Sequence, residues 1–146
     1  MGDMVKTQDS ESGTAFVWPV RVYYEDTDSG GVVYYANYLK FLERARTEWL
    51  RGLGFEQTEL LRDYNVIFVV RRVEIDYLRP ALFNDALVVT AQVHQSGRSW
   101  IELDQHVERG GEVLVKARVK IVCVNGQAFK PVGIPPVIKQ KMENQS

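Results

Sequence analysis

The segment 23–38 reads Tyr-Tyr-Glu-Asp-Thr-Asp-Ser-Gly-Gly-Val-Val-Tyr-Tyr-Ala-Asn-Tyr, which sets Glu25, Asp26 and Asp28 directly ahead of a stretch with helical periodicity. A helix start presents unpaired backbone N–H groups and the positive end of the macrodipole, a place where a developing oxyanion can be held. A carboxylate beside it could attack a polarised carbonyl carbon or take a proton from water. Gly30 and Gly31 allow backbone and ligand to approach closely. The same residues also fit a plainer role, because an Asp before a helix commonly caps it or closes a turn. That role suits Asp26, whereas Asp28 is open to both. An EF-hand loop would need an oxygen-bearing side chain at Gly30 and a Glu at Asn37, so calcium binding of that type fails twice. An Asp-x-Asp phosphatase would need alternating strands and helices, which the rest of the chain lacks.

The elements around this segment follow from hydrophobic spacing. Residues 16–24 alternate Val and aromatic side chains with polar ones and predict a first strand. From 34 to about 51, Tyr38, Leu42, Ala45 and Trp49 recur at helical spacing, while Lys40, Glu43, Arg44, Thr47 and Arg51 take the other side. Gly52 and Gly54 supply the stop, and 55–63 predicts a shorter helix running into Asn65. Four long strands are expected at 66–77, 86–95, 99–108 and 112–124, joined by turns short enough to make antiparallel neighbours. One long helix for five strands is packed most economically with the sheet wrapped around it, an α+β architecture. The domain is expected to span 16–136, between a disordered polar lead-in at 1–15 and a Pro-containing polar tail at 137–146.

Composition limits the function classes. A chain of 146 residues, 45% hydrophobic, supports one core. With 18 basic and 19 acidic residues the net charge is -1, so no overall field draws the protein to nucleic acid or to an anionic membrane. Residues 1–13 hold no apolar stretch of secretory length and no segment is long enough to span a bilayer, which leads to the expectation of a cytoplasmic protein. The single Cys123 sits in an Ile-Val-Cys-Val run and is expected to be a buried strand residue. His94 and His106 lie inside expected strands and take sheet or surface roles. No nucleophile elbow, Cys-x-x-Cys or His-Glu-x-x-His pattern is present.

Asp26-Thr-Asp-Ser-Gly-Gly-Val-Val-Tyr-Tyr-Ala-Asn-Tyr38, with Phe41-Leu-Glu-Arg-Ala-Arg-Thr-Glu48 after it, resembles the signature of the 4-hydroxybenzoyl-CoA thioesterase family, and within it the Tol-Pal-associated (YbgC-type) branch. The resemblance continues through Phe68-Val-Val-Arg-Arg72, Tyr77-Leu-Arg-Pro-Ala81, Asp85 and Val122-Cys-Val124, covering 18 to about 136. It implies a hot-dog fold, hydrolysis of acyl-CoA without metal or other cofactor, and dimers paired into tetramers. It places the catalytic carboxylate at Asp28 and assigns to Tyr35 a backbone N–H that polarises the thioester carbonyl, with Gly31 and Val32 against the substrate. Some members of the branch have His where this chain has Tyr35, and this departure argues against an imidazole assisting the acid-base step here. Arg98 and Ser99 resemble, more weakly, a segment that contacts coenzyme A.

Coenzyme A also carries phosphates, for which Arg71 and Arg72 are further candidates. Consecutive strand residues face opposite ways, so one of the two at most is expected to serve. Glu43 and Glu48 are read as helix-surface partners of Arg46 and Arg44 rather than as catalysts. Two rivals remain: a hot-dog protein that binds acyl-CoA or an acyl carrier protein without turnover, which would not need Asp28, and a hydratase, which would need a His on the long helix.

Overall fold

A computed structural model describes residues 15–144. The expected lead-in therefore lies, apart from Ala15, outside the described residues. Strand β1 (Phe16–Arg21) is shorter than its pattern suggested. Val22 still bonds Asp85 O through its N–H, and Asn84 N–H bonds Val22 O, but the chain then turns into a single 3-10 turn, Tyr24–Asp26. The Asp26 carboxylate takes the Tyr23 N–H at 2.9 Å, the local capping role expected of it.

Helix α1 (Tyr35–Gly52) buries Tyr38, Phe41, Leu42, Ala45, Trp49 and Leu50, a stripe at the i, i+3, i+4 and i+7 spacing. Helix α2 (Gln57–Tyr64) ends at Asn65, whose φ of 57° is a left-handed conformation that Asn tolerates better than most residues. Strands β2 (Val66–Tyr77), β3 (Ala86–Ser96), β4 (Trp100–Arg109) and β5 (Glu112–Asn125) follow. All pairings are antiparallel and the order is β1-β3-β4-β5-β2, with β1 and β2 at the edges.

The sheet wraps around α1, which lies across β1 and β3. Inward residues Leu87, Val89 and Ala91 of β3, Ile101, Leu103 and Val107 of β4, and Val115, Val119 and Cys123 of β5 close on the helix stripe in one core. This is the hot-dog architecture. Cys123 is fully buried there, and desolvation pushes its thiol up to about 11, so it is core material and no nucleophile.

The 137–146 segment is not simply a tail. Helix α3 (Pro136–Glu143) begins with a proline at its first position, and it buries Ile138 and Met142 completely in the core. Two buried apolar residues at i, i+4, beside an exposed Val137 and a leading proline, give too weak a periodicity to announce a helix. No helix among the described residues is long and apolar enough to cross a membrane.

Candidate active site

The segment joining β1 to α1 is a closed, hydrogen-bonded device. Thr27 and Val33 form an antiparallel bridge, Asp28 N–H donates to Val32 O at 2.8 Å, and Gly31 N–H donates to Asp28 O at 3.0 Å. The turn needs a positive φ at Gly31, +82°, which a residue with a Cβ adopts only under strain. Asp26 O accepts from Tyr34 N–H at 3.1 Å and from Asn37 Nδ2 at 2.8 Å, so the helix start is tied to the beginning of the loop.

Within this turn Asp28 Oδ1 accepts the Gly30 N–H at 2.8 Å and the Val32 N–H at 3.4 Å. Of the two roles left open for Asp28, the turn-closing one is therefore present. Oδ1 closes the turn, and this fixes the carboxylate while Oδ2 receives no hydrogen bond from a described residue. Asp28 is solvent-exposed, one position inside the loop closed by the Thr27–Val33 bridge, and Tyr35 begins α1 two positions beyond the other end of that bridge. Tyr34 gives α1 no side-chain cap and its first turn has no acidic residue, so the N–H groups of Tyr35 and Ala36 keep the free donor character of a helix start. The Tyr35 ring packs on Tyr77, centroids 4.8 Å apart.

The platform beneath comes from residues to which sequence alone assigned no role. Val33 N–H donates to Ala81 O at 2.9 Å, Val32 bridges Leu82, and Ala81 N–H donates to the buried Tyr38 hydroxyl at 3.0 Å. Burial raises the Tyr38 phenol pKa, against the opposing pull of the Ala81 bond. Asp85 Oδ2 holds the Leu82 N–H and Arg109 Nη1, both at 2.8 Å; these bonds to Asp85 and Glu112 raise the Arg109 pKa. Asn37, Tyr38 and Asp85 all stand in the quoted motifs, but only the fold reveals what they hold. Gly31 and Val32 are thus parts of the turn itself, beside Asp28.

A model of the thioesterase-like superfamily matches residues 22–142. The chain belongs to that superfamily. Among curated thioesterase-like relatives, the acyl-CoA thioesterase YbgC of Haemophilus influenzae is 48% identical over 85% of this chain and 91% of its own length. The acyl-CoA thioester hydrolase YbgC of Escherichia coli is 44% identical over 86% and 93%. Among solved structures, a probable thioesterase from Bartonella henselae superposes with a TM-score of 0.80 at 36% identity, covering 84% of this chain and all of that one.

Arg98 and Ser99 of this thioesterase-like chain lie at the other end of β3 from the Asp28 loop. The ten steps from Ala86 to Ser96 put about 30 Å between those ends. Arg98 spreads over Gly133 and accepts the Ile134 N–H through its carbonyl. One chain therefore does not bring these residues to Asp28. The expectation for Arg71 and Arg72 needs correction as well. A bulge between Val70 and Arg72 breaks the alternation, and both arginines line a single cavity together with Ser99.

The helix-surface pairs also differ from those expected. Arg46 turns inward and donates to Gln105 Oε1 at 3.0 Å, keeping only a through-space attraction to Glu43, while Glu48 pairs with Arg51 at 2.5 Å. Desolvation lowers the Arg46 pKa. His94 and His106 stand on the sheet beside Asp104 and Glu108, at 3.6 and 3.5 Å. Among the described residues no group of three or more His, Cys, Asp or Glu side chains could hold a metal ion.

Proposed function

We propose that this thioesterase-like chain hydrolyses acyl-CoA thioesters, with Asp28 as the catalytic carboxylate and the Tyr35 backbone N–H as oxyanion donor. The observation that carries the reading is the state of Asp28: one oxygen is held by two amides of its own turn, and the other is unengaged beside an uncapped helix start. A carboxylate so fixed loses little freedom on reaching its transition state.

Two routes fit this geometry. Asp28 Oδ2 can attack the thioester carbon, giving a mixed anhydride and coenzyme A thiolate, after which water cleaves the anhydride to free acid and restores the carboxylate. Alternatively Asp28 takes a proton from a water that attacks the same carbon, and the proton later leaves with the thiolate. In both, the carbonyl oxygen gains negative charge, and the helix-start N–H groups stabilise it. Thiolate leaves readily, so no strong acid is required.

In this reading Gly31 and Val32 border the acyl thioester, and Arg98 and Ser99 of a second copy receive the CoA end, because those of the same chain are too distant. Assembly as a dimer or tetramer has support in the edge strand β2, whose inward-facing Val70 and Tyr77 remain 48% and 42% exposed. The reading also includes a cytoplasmic setting, no cofactor beyond the CoA of the substrate, and an acyl carrier protein as a possible alternative acyl donor. Release of free thiol from acyl-CoA substrates of graded chain length, one of them aromatic, tests the activity. Hydrolysis of at least one well above the buffer rate is expected, and none on any would refute it.

A further inference from the structure

The register of β2 against β5 sets Val70 opposite Ile121 and Arg72 opposite Lys120, which leaves Arg71 as the extra residue of a bulge. A regular strand would send Arg71 and Arg72 to opposite faces; the bulge re-aims one so that both line a cavity of about 360 Å³ with Lys120, Ser99, Trp100 and Glu102. Glu102 lies between the inward Ile101 and Leu103 and so belongs to the face turned away from α1, as does its partner Lys120. The cavity opens on that outer face. Arg72 is five residues along β2 from Tyr77, the strand residue that touches Tyr35, or about 16 Å. It is therefore separate from the Asp28 loop of the same chain.

The charges in this cavity are poorly compensated. Arg72 and Lys120 are like charges directly opposite one another across two strands, an unfavourable arrangement without a counter-ion. Arg72 leans on Glu74 at 2.5 Å, but both are exposed and such a pair contributes little. Neither Arg71 nor Lys120 forms an ion pair with a described residue. The Lys120 ammonium sits 4.3 Å from the Trp100 ring centroid, and that indole packs so closely on Gly97 that any Cβ there would overlap it. Three cations thus surround a hollow holding one carboxylate, Glu102, in a protein whose net charge is -1. Guanidinium forks, an ammonium and a hydroxyl are the donor set that phosphate oxygens take.

We propose that this outer-face cavity is a phosphate-binding site for a phosphorylated small molecule, with Arg71, Arg72 and Lys120 on the phosphates and Ser99 as a neutral donor. The phosphates can come from the nucleotide end of a CoA thioester reacting at another copy's Asp28 or from a separate phosphorylated ligand. Only the first source rests on the proposed activity. Calorimetric titration of the full chain with adenosine 3′,5′-bisphosphate and with pyrophosphate tests the site without any turnover, so its outcome is independent of the thiol-release assay. At least one probe is expected to bind wild type, more weakly as ionic strength rises. Arg71→Gln with Lys120→Gln should weaken it by about tenfold or more, whereas Lys120→Arg, which keeps the charge, should stay close to wild type. If the double variant melts early, Lys120→Gln alone, on an outward half-buried side chain, carries the same comparison.

The two sources separate in kinetics. A bisphosphate that raises the KM for acyl-CoA in wild type but not in the double variant identifies the substrate's own nucleotide, and binding that leaves KM unchanged identifies a separate ligand. Failure of both probes to bind wild type at millimolar concentration, or equal affinity for wild type and the double variant, would overturn the proposal.

Discussion

Replacing Tyr38 by Phe removes one oxygen from beneath the candidate site and changes little else. The hydroxyl accepts the N–H of Ala81 at 3.0 Å; both residues are fully buried, and Ala81 in turn receives Val33 of the Asp28 turn through its carbonyl. Phe keeps the ring, its packing on Phe41 and Tyr77 and the core volume, but leaves a buried N–H with no acceptor. An orphaned buried donor costs about 2 kcal/mol, which for a chain of this size lowers Tm by about 6 °C. The phenol also has a pH signature. Burial raises its folded pKa above the unfolded value of 10.0, so the stability it contributes is complete below about pH 10 and is lost as pH rises through the folded value. Wild type should therefore lose stability more steeply than Tyr38→Phe in that alkaline window. Thermal and urea melts of both proteins at pH 7 and above pH 10 provide the comparison. A variant within about 0.5 kcal/mol of wild type at pH 7 would show that the Ala81 bond does not support the loop.

Other consequences are equally direct. Gln105 is fully buried, donates to Leu42 O and Thr90 O at 3.1 and 3.2 Å and accepts from Arg46, so Gln105→Leu should destabilise by about 3 kcal/mol. Adding Arg46→Met should recover part of that loss, and urea melts of the double-mutant cycle would show it as a coupling term. Met142→Ala should cost about 3 kcal/mol in the same melts if α3 completes the core, and nearly nothing if it is a loose tail. Cys123, the one cysteine of the chain, should resist iodoacetamide at pH 8 in the native protein and react fully in denaturant; its thiol is buried and raised to about 11.

Local signals made much of this molecule legible in advance. β2 falls at the residues expected for it, because Asn65 on one side and Arg79-Pro80 on the other punctuate a run rich in Val, Ile and aromatic residues. α1 was bounded to within a residue by its apolar stripe and by Gly52. Asp28 stood out through its place before that helix. What escaped depends on contacts distant in sequence or on irregular backbone. The bulge that gathers Arg71 and Arg72 is invisible to an argument from alternation. Arg46 looked like a surface partner of Glu43, since nothing local announces Gln105, 59 positions later, as its acceptor. α3 is short and starts on the second of two consecutive prolines, a composition that reads as a loop until the core receives Ile138 and Met142. The distance of Arg98 and Ser99 from Asp28 likewise follows from the length of β3, not from any motif.

The central claim, that Asp28 is the reacting carboxylate, is tested most directly by thiol release from acyl-CoA with purified Asp28→Asn. Asn keeps the shape and an oxygen able to accept the Gly30 N–H, yet it is neither nucleophile nor base, so melting temperature and assembly should stay at wild-type values. Turnover should fall by about a hundredfold or more, while Asp26→Asn, which alters only a turn bond, should lose far less. An Asp28→Asn protein that remains folded and hydrolyses acyl-CoA near the wild-type rate would contradict the account.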